Sequence, residues 1–258
     1  MKTLLPREHG AWSMLLLPFA GTAILLHPAP GRLVAAFALV LALFLLRGPL
    51  IILARQQWVW RTPREETAAA RRFVAVGGVV AAACAVIAVP RPAWPLAAAC
   101  GLVAAWLMSV SIFLAVRNRQ HSVAFQMVGA VGLAASSLVA ALSSGAIPRW
   151  AWLLWAASAL HGAAAIPLVH ARLALRRRQT PSLWRAGAGV LATLAAAAAA
   201  ISSWLAVALL FSATVHGAEW LSLRSPGAGQ APLTRLGLRL MAGSVVFSIL
   251  LVWSLALP

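Results

Sequence analysis

Aspartate is absent from the 258 residues, and the acidic total is four, all glutamate: Glu8, Glu65, Glu66 and Glu219. So few carboxylates exclude the aspartate-rich clusters that hold magnesium on a phosphate, because that ion takes hard oxygen ligands. Cysteine is almost missing too. Cys84 and Cys100 lie in apolar segments without metal-ligand spacing, which argues against a metal centre and against a disulfide. Lys2 is the sole lysine, and no Gly-x-Ser-x-Gly, Walker or His-Glu-x-x-His sequence occurs.

What is present is apolar. Hydrophobic residues make up 62% of the chain and mean hydropathy is +0.90, so lipid is the solvent for most of it. The length fits one integral membrane helical domain over 1–258. Met14 to Leu26 could be a signal-peptide core, but apolar segments continue to Leu257, so an uncleaved first helix is expected. The net charge of +17 would suggest nucleic acid in a soluble chain. In a membrane chain it follows from basic loops retained on the cytoplasmic side, and no nucleic-acid partner is expected.

A spanning helix needs about 20 mostly apolar residues. The pattern predicts helices near 12–27, 33–54, 72–89, 93–115, 123–142, 149–170, 184–201, 203–221 and 238–257. The weakest boundary is Ser202-Ser203, and without it eight spans result. Loop charge alternates. Arg55, Arg61, Arg64, Arg71 and Arg72, then Arg117 and Arg119, then Arg172 with Arg176 to Arg178 and Arg185, stand in alternate loops. Between them come Arg32, Arg91 and Arg149, each alone. The expectation is an all-α polytopic bundle of about nine helices, N-terminus cytoplasmic and C-terminus external, in a bacterial inner membrane.

That topology gathers all four glutamates and four of the six histidines at the cytoplasmic side. His216 and Glu219 share a helical face through their i,i+3 spacing. His9 and His170 lie at helix ends, His161 near a helix middle, and His27 at the external side. His-Gly-Ala occurs at 9–11, 161–163 and 216–218, where each glycine would permit close helix approach. Arg47 lies inside a predicted helix, at a cost of roughly 2.5 kcal/mol or more unless it snorkels or pairs. Either it lines a cytoplasm-facing cavity, with Glu8 or Glu219 as partner, or it snorkels and Gly48-Pro49 only kinks the helix. Asn118 in VRNRQHS is either a ligand contact or part of a solvated turn.

The candidate catalytic set is therefore His9, Glu8, His216, Glu219 and His170, as proton movers and orienting groups. Arg7, Arg47, Arg55, Arg172 and Asn118 are candidate binding residues for an anionic lipid or isoprenoid, since guanidinium forks suit phosphate and carboxylate. No metal site and no cofactor is assigned. A transporter or lipid-binding protein without chemistry is the alternative, with Gly48-Pro49 and Ile166-Pro167 as candidate helix breaks. A third reading is a haem-handling or assembly factor using His9, His170 and His216.

PREHGAW at 6–12, within PREHGAWSMLLLPF, resembles the N-terminal signature of the YwiC-like family of bacterial integral membrane proteins. The resemblance implies a membrane protein and carries no catalytic residues. The nine-helix plan is also similar to that of UbiA-like intramembrane prenyltransferases, whose second and sixth loops hold Mg²⁺ on a prenyl diphosphate through aspartates. Here those loops read ARQQWVWRTPREE and VHARLALRRRQT, without one aspartate.

Overall fold

The computed structural model describes residues 9–119, 122–225, 230 and 232–257, with His9 described by its backbone alone. Arg7, Glu8 and His121 lie outside the described residues, and so do the site assignments made to Arg7, Glu8 and the His9 side chain. Among the described residues no strand occurs. The helices are α1 (His9–Leu26), α2 (Pro30–Arg55), α3 (Glu66–Ala88), α4 (Trp94–Val116), α5 (Val123–Ala134), α6 (Ser136–Leu142), α7 (Arg149–Arg176), α8 (Leu183–Ala199), α9 (Leu205–Ser222) and α10 (Leu233–Ala256). A π-helical turn, Gln56–Trp60, continues α2, and a short 3₁₀ turn, Arg91–Ala93, precedes α4.

Seven helical units are long and apolar enough to cross a membrane, and α1 and α8 are shorter apolar helices. The chain is thus a multi-pass membrane protein. Helices α2, α3, α7 and α10 extend past the expected ends into arginine-bearing sequence. The apolar run marks only the hydrocarbon-embedded part, and a helix continues into the interface beyond it. Gly48-Pro49 and Ile166-Pro167 do not interrupt α2 or α7. The expected 123–142 helix does break, at Ala135 between α5 and α6. There Ser137 Oγ donates back to the Ala134 carbonyl at 2.9 Å, a bond that bends helices. Ser136 Oγ instead donates across to Leu15 of α1, at 2.7 Å.

Residues 200–204 form a turn, so the 183–223 stretch is two helices rather than one. These two form an antiparallel hairpin, because Trp220 near the end of α9 donates from Nε1 to the Leu183 carbonyl at the start of α8, at 3.0 Å. Helix α7 occupies the centre, with 61% of its apolar window buried, against 11% for α3 and for the α4 unit. It packs on α5, α8, α9 and α10, while α1 joins the two halves by contacting α5, α6, α7 and α10 and by meeting α2 through the Trp12–Phe44 and Phe19–Phe37 ring pairs. Gly189 shows how close the packing is. A Cβ there would lie 3.1 Å from Ala164 Cα and 3.2 Å from its carbonyl oxygen on α7. Backbone cannot move aside as a side chain can. Gly189→Val is expected to cost about 1–3 kcal/mol, measured by unfolding in mixed micelles. An unchanged stability would show that α7 and α8 separate freely.

Candidate functional site

The arginine-rich helix ends lie together. Arg55 at the end of α2 donates from Nε and Nη2 to the Ala115 carbonyl near the end of α4, at 3.2 and 2.8 Å. That carbonyl sits in the last turn of α4, where helices leave acceptors unfilled. Asn118 adopts φ 56°, the left-handed conformation that ends the same helix. Arg119 N–H then reaches back to the Leu114 carbonyl at 2.8 Å. The sequence expectation made Arg55 a candidate ligand contact and left Asn118 either a ligand contact or part of a turn, and the structure gives both a part in closing α4. Nearby, Arg47 lies 4.9 Å from the ring centroid of buried Phe125 on α5, so its guanidinium points into the bundle. His170 Nε2 donates to Gln126 Oε1 of α5 at 3.1 Å.

The C-terminal half holds a polar column of two neighbouring clusters, one around Glu219 and one around His161 and His216, beside apolar layers. One layer contains Leu154, Leu209 and Leu251, and the other contains Leu168, Ala186 and Leu223. Ser212, His216 and Glu219 lie at i, i+4 and i+7, which is one face of α9, and all three are buried. Glu219 Oε2 is 3.5 Å from Arg172 Nη2, and Oε1 is 3.4 Å from Arg239 Nη1. Arg172 is buried to 6% side-chain exposure, whereas Arg239 is 67% exposed. Arg172 Nη2 also donates to Ser222 Oγ at 2.8 Å. The acid expected near Arg47 is therefore held by two other arginines.

One helical turn from Glu219, two histidines meet. The rings of His161 and His216 are 4.8 Å apart, and His161 stacks on Phe247 at 4.2 Å. His161 Nδ1 is 2.8 Å from Ser212 Oγ, its Nε2 is 3.0 Å from Ser244 Oγ, and His216 Nδ1 is 3.4 Å from Ser212 Oγ. Proton positions follow from counting donors. Ser244 spends its one hydrogen on the Leu240 carbonyl, at 2.8 Å. His161 Nε2 must therefore carry the proton it shares with Ser244. In neutral His161, Nδ1 is then an acceptor, and Ser212 donates to it. Ser212 has no second hydrogen, so His216 Nδ1 donates to Ser212. His216 Nε2 is left as a bare lone pair, buried and without a hydrogen-bond partner. The result is a directed chain: His216 to Ser212 to His161 to Ser244.

The sequence singled out His216, Glu219 and Arg172, and the structure brings them to one column. It ties His170 to α5 instead. His161, Ser212 and Ser244 were not among the expected site residues. His161 had a signal, because a titratable side chain at mid-membrane depth is expensive and marks function by default. The serines had none. Of the three His-Gly-Ala glycines, Gly162 does permit close approach, since a Cβ would meet Met14 of α1 at 3.2 Å, whereas nothing lies within 4 Å of a Cβ at Gly10, so the expectation fails there. Gly217 has only ordinary contact with Val190. Among the described residues no group of three His, Cys, Asp or Glu side chains could hold a metal ion.

A family model described as YwiC-like protein matches residues 5–144, more than half of the chain. No curated protein and no solved structure matches. The matched stretch ends before α7, so the polar column lies outside it.

Proposed function

The chain belongs to the YwiC-like protein family, and from that premise we propose that it carries protons through the α7–α10 half, as a proton-linked carrier in a bacterial inner membrane. In this reading the arginine-rich end faces the cytoplasm. The observation that supports it is the buried His216–Ser212–His161 chain, with its open acceptor at His216 Nε2. A proton arriving at Nε2 makes His216 cationic. His216 then passes its Nδ1 proton to Ser212, and Ser212 passes its hydroxyl proton to His161 Nδ1. His216 ends neutral, Ser212 is restored, and His161 holds the charge. Histidine suits this work because its two nitrogens take up and release protons on opposite sides of one ring.

A second reading, an enzyme acting on a lipid or isoprenoid, draws support from Arg47, whose charge points into the bundle. It draws less from Arg55 and Arg172, which already bond Ala115 and Glu219. One experiment separates the two. The protein is reconstituted into liposomes that enclose a pH-sensitive dye, and a pH step is imposed. Wild type is expected to dissipate the step, and His216→Phe to retain it as empty liposomes do. Equal rates in wild type, variant and empty liposomes would refute the relay. An anionic lipid co-purifying in mild detergent and lost on Arg47→Gln would then favour the enzyme.

A further inference from the structure

The relay leads to a groove that the column itself does not explain. Between α1, α7 and α10, a space of about 20 Å³ is lined by Ser13, Ser158, Ser244, Ser248, His161 and Pro18, with Met14 and Gly162 beside them. That volume admits one occupant of about the size of a water. We propose that the groove binds a small monovalent cation of the size of Na⁺.

The reasons lie in which atoms face outward. Ser13 spends its hydrogen on the Gly10 carbonyl at 2.9 Å, and Ser244 spends its own on Leu240 at 2.8 Å. Both hydroxyls therefore offer lone pairs and no donor. Pro18 lies inside α1 and has no N–H, so the Met14 carbonyl loses its i+4 donor in the turn that borders the groove. His161 Nε2–H is committed to Ser244. An anion would find these donors turned away. A water has two protons for three such acceptors, whereas a cation can take lone pairs from all three, and Ser158 and Ser248 add two hydroxyls to the lining. The set is neutral oxygen, which suits a monovalent ion. Divalent ions of this size call for carboxylates, and among the described residues no acidic one lines the groove.

Coupling of this cation to the proton rests on the relay reading. His161 lines the groove, so a proton on His161 and a cation beside it are two like charges in a low-dielectric site. Each disfavours the other. The titratable group facing His161 is His216 of α9. From α1, α7 and α10 the groove presents four serines together with apolar Met14, Leu17, Pro18 and Phe247, and among the described residues the next charges along the column are Arg172, Glu219 and Arg239. Proton arrival would therefore release the cation, and cation entry would release the proton, which is the chemistry of exchange.

Two measurements on the full chain test this. Thermal unfolding in mild detergent is followed with NaCl replaced stepwise by choline chloride or by KCl. A saturating rise in Tm specific to Na⁺ is expected, because an ion bound only by the folded state stabilises it. The double variant Ser158→Ala, Ser248→Ala is expected to bind Na⁺ at least about tenfold more weakly. Should that variant fail to fold, equilibrium binding of radioactive Na⁺ to the wild type decides, with about one ion per chain expected and displacement on acidification. No Na⁺ binding, or equal stabilisation by K⁺, would show that the groove holds water only and would overturn the proposal. Proton flux without Na⁺ binding would refute the cation site and keep the relay. Na⁺ binding without proton flux would keep the site and refute the relay.

Discussion

Glu219→Leu is expected to destabilise the folded protein by about 3–5 kcal/mol, the largest effect of any single substitution considered. The carboxylate is nearly buried and serves two arginines of very different exposure. Arg239 is mostly exposed and loses little when its partner goes, since exposed pairs contribute about 0–1 kcal/mol. Arg172 is different. Its side chain is buried, so removing Glu219 takes the carboxylate from a guanidinium inside a membrane bundle and keeps on α9 the neutral Ser222 hydroxyl. The double variant Arg172→Met, Glu219→Leu is expected to recover most of the loss, because no uncompensated charge remains. Unfolding in mixed micelles measures all three proteins. A single-variant cost below about 1 kcal/mol would mean that Arg172 reaches water and that the pair is a surface feature.

The second large effect concerns Ser212. Ser212→Ala keeps both histidines but removes the hydroxyl that hands a proton from one ring to the other. Proton flux in liposomes is expected to fall by at least about 100-fold, the lower range for losing a positioned proton-transfer group. Ser254→Ala is the control. Ser254 is also a buried helix serine, and it donates to the Leu251 carbonyl at 2.8 Å, away from the histidines. Ser254→Ala removes one hydrogen bond of about 1 kcal/mol, whereas Ser212→Ala removes two and leaves two buried ring nitrogens unpaired, so Ser212→Ala should lose more stability and flux is compared between folded, reconstituted proteins. If Ser212→Ala conducts as well as Ser254→Ala, the two rings exchange protons without that hydroxyl and the chain assigned here is wrong.

The helical plan was legible because it rests on one-dimensional signals. Apolar runs of membrane length, and the prolines, glycines and arginines between them, place the nine helical units found among the described residues. Even Ser202-Ser203, the faintest boundary, falls inside a real turn. Helix ends were less legible, since hydropathy stops at the hydrocarbon edge and α3 begins six residues before the expected 72, at Glu66. The site was half legible. Helical spacing put His216 and Glu219 on one face, and scarcity made Glu219 conspicuous. Which arginine would meet it was not readable. Arg47 and Arg172 are equivalent in a linear pattern, and only the packing of α7 against α9 selects Arg172. Ser212 and Ser244 were invisible for a related reason: a serine bonded to a carbonyl and a serine bonded to an imidazole look the same in sequence.

The shortness of α8 bears on how the chain is made. Its 17 residues span about 25 Å, less than the roughly 30 Å of hydrocarbon a lone helix must cross. Its exposed Leu191 and Leu194 help it enter lipid, but its buried face is alanine, glycine, threonine and one valine, Val190, which together offer little to a bilayer. The turn that follows is only residues 200–204, and α9 then folds straight back along it. Partitioning from the ribosome exit is therefore a joint event. Helices α8 and α9 are expected to enter lipid together as a hairpin, so the histidine of α9 reaches the bilayer interior along with α8 rather than alone.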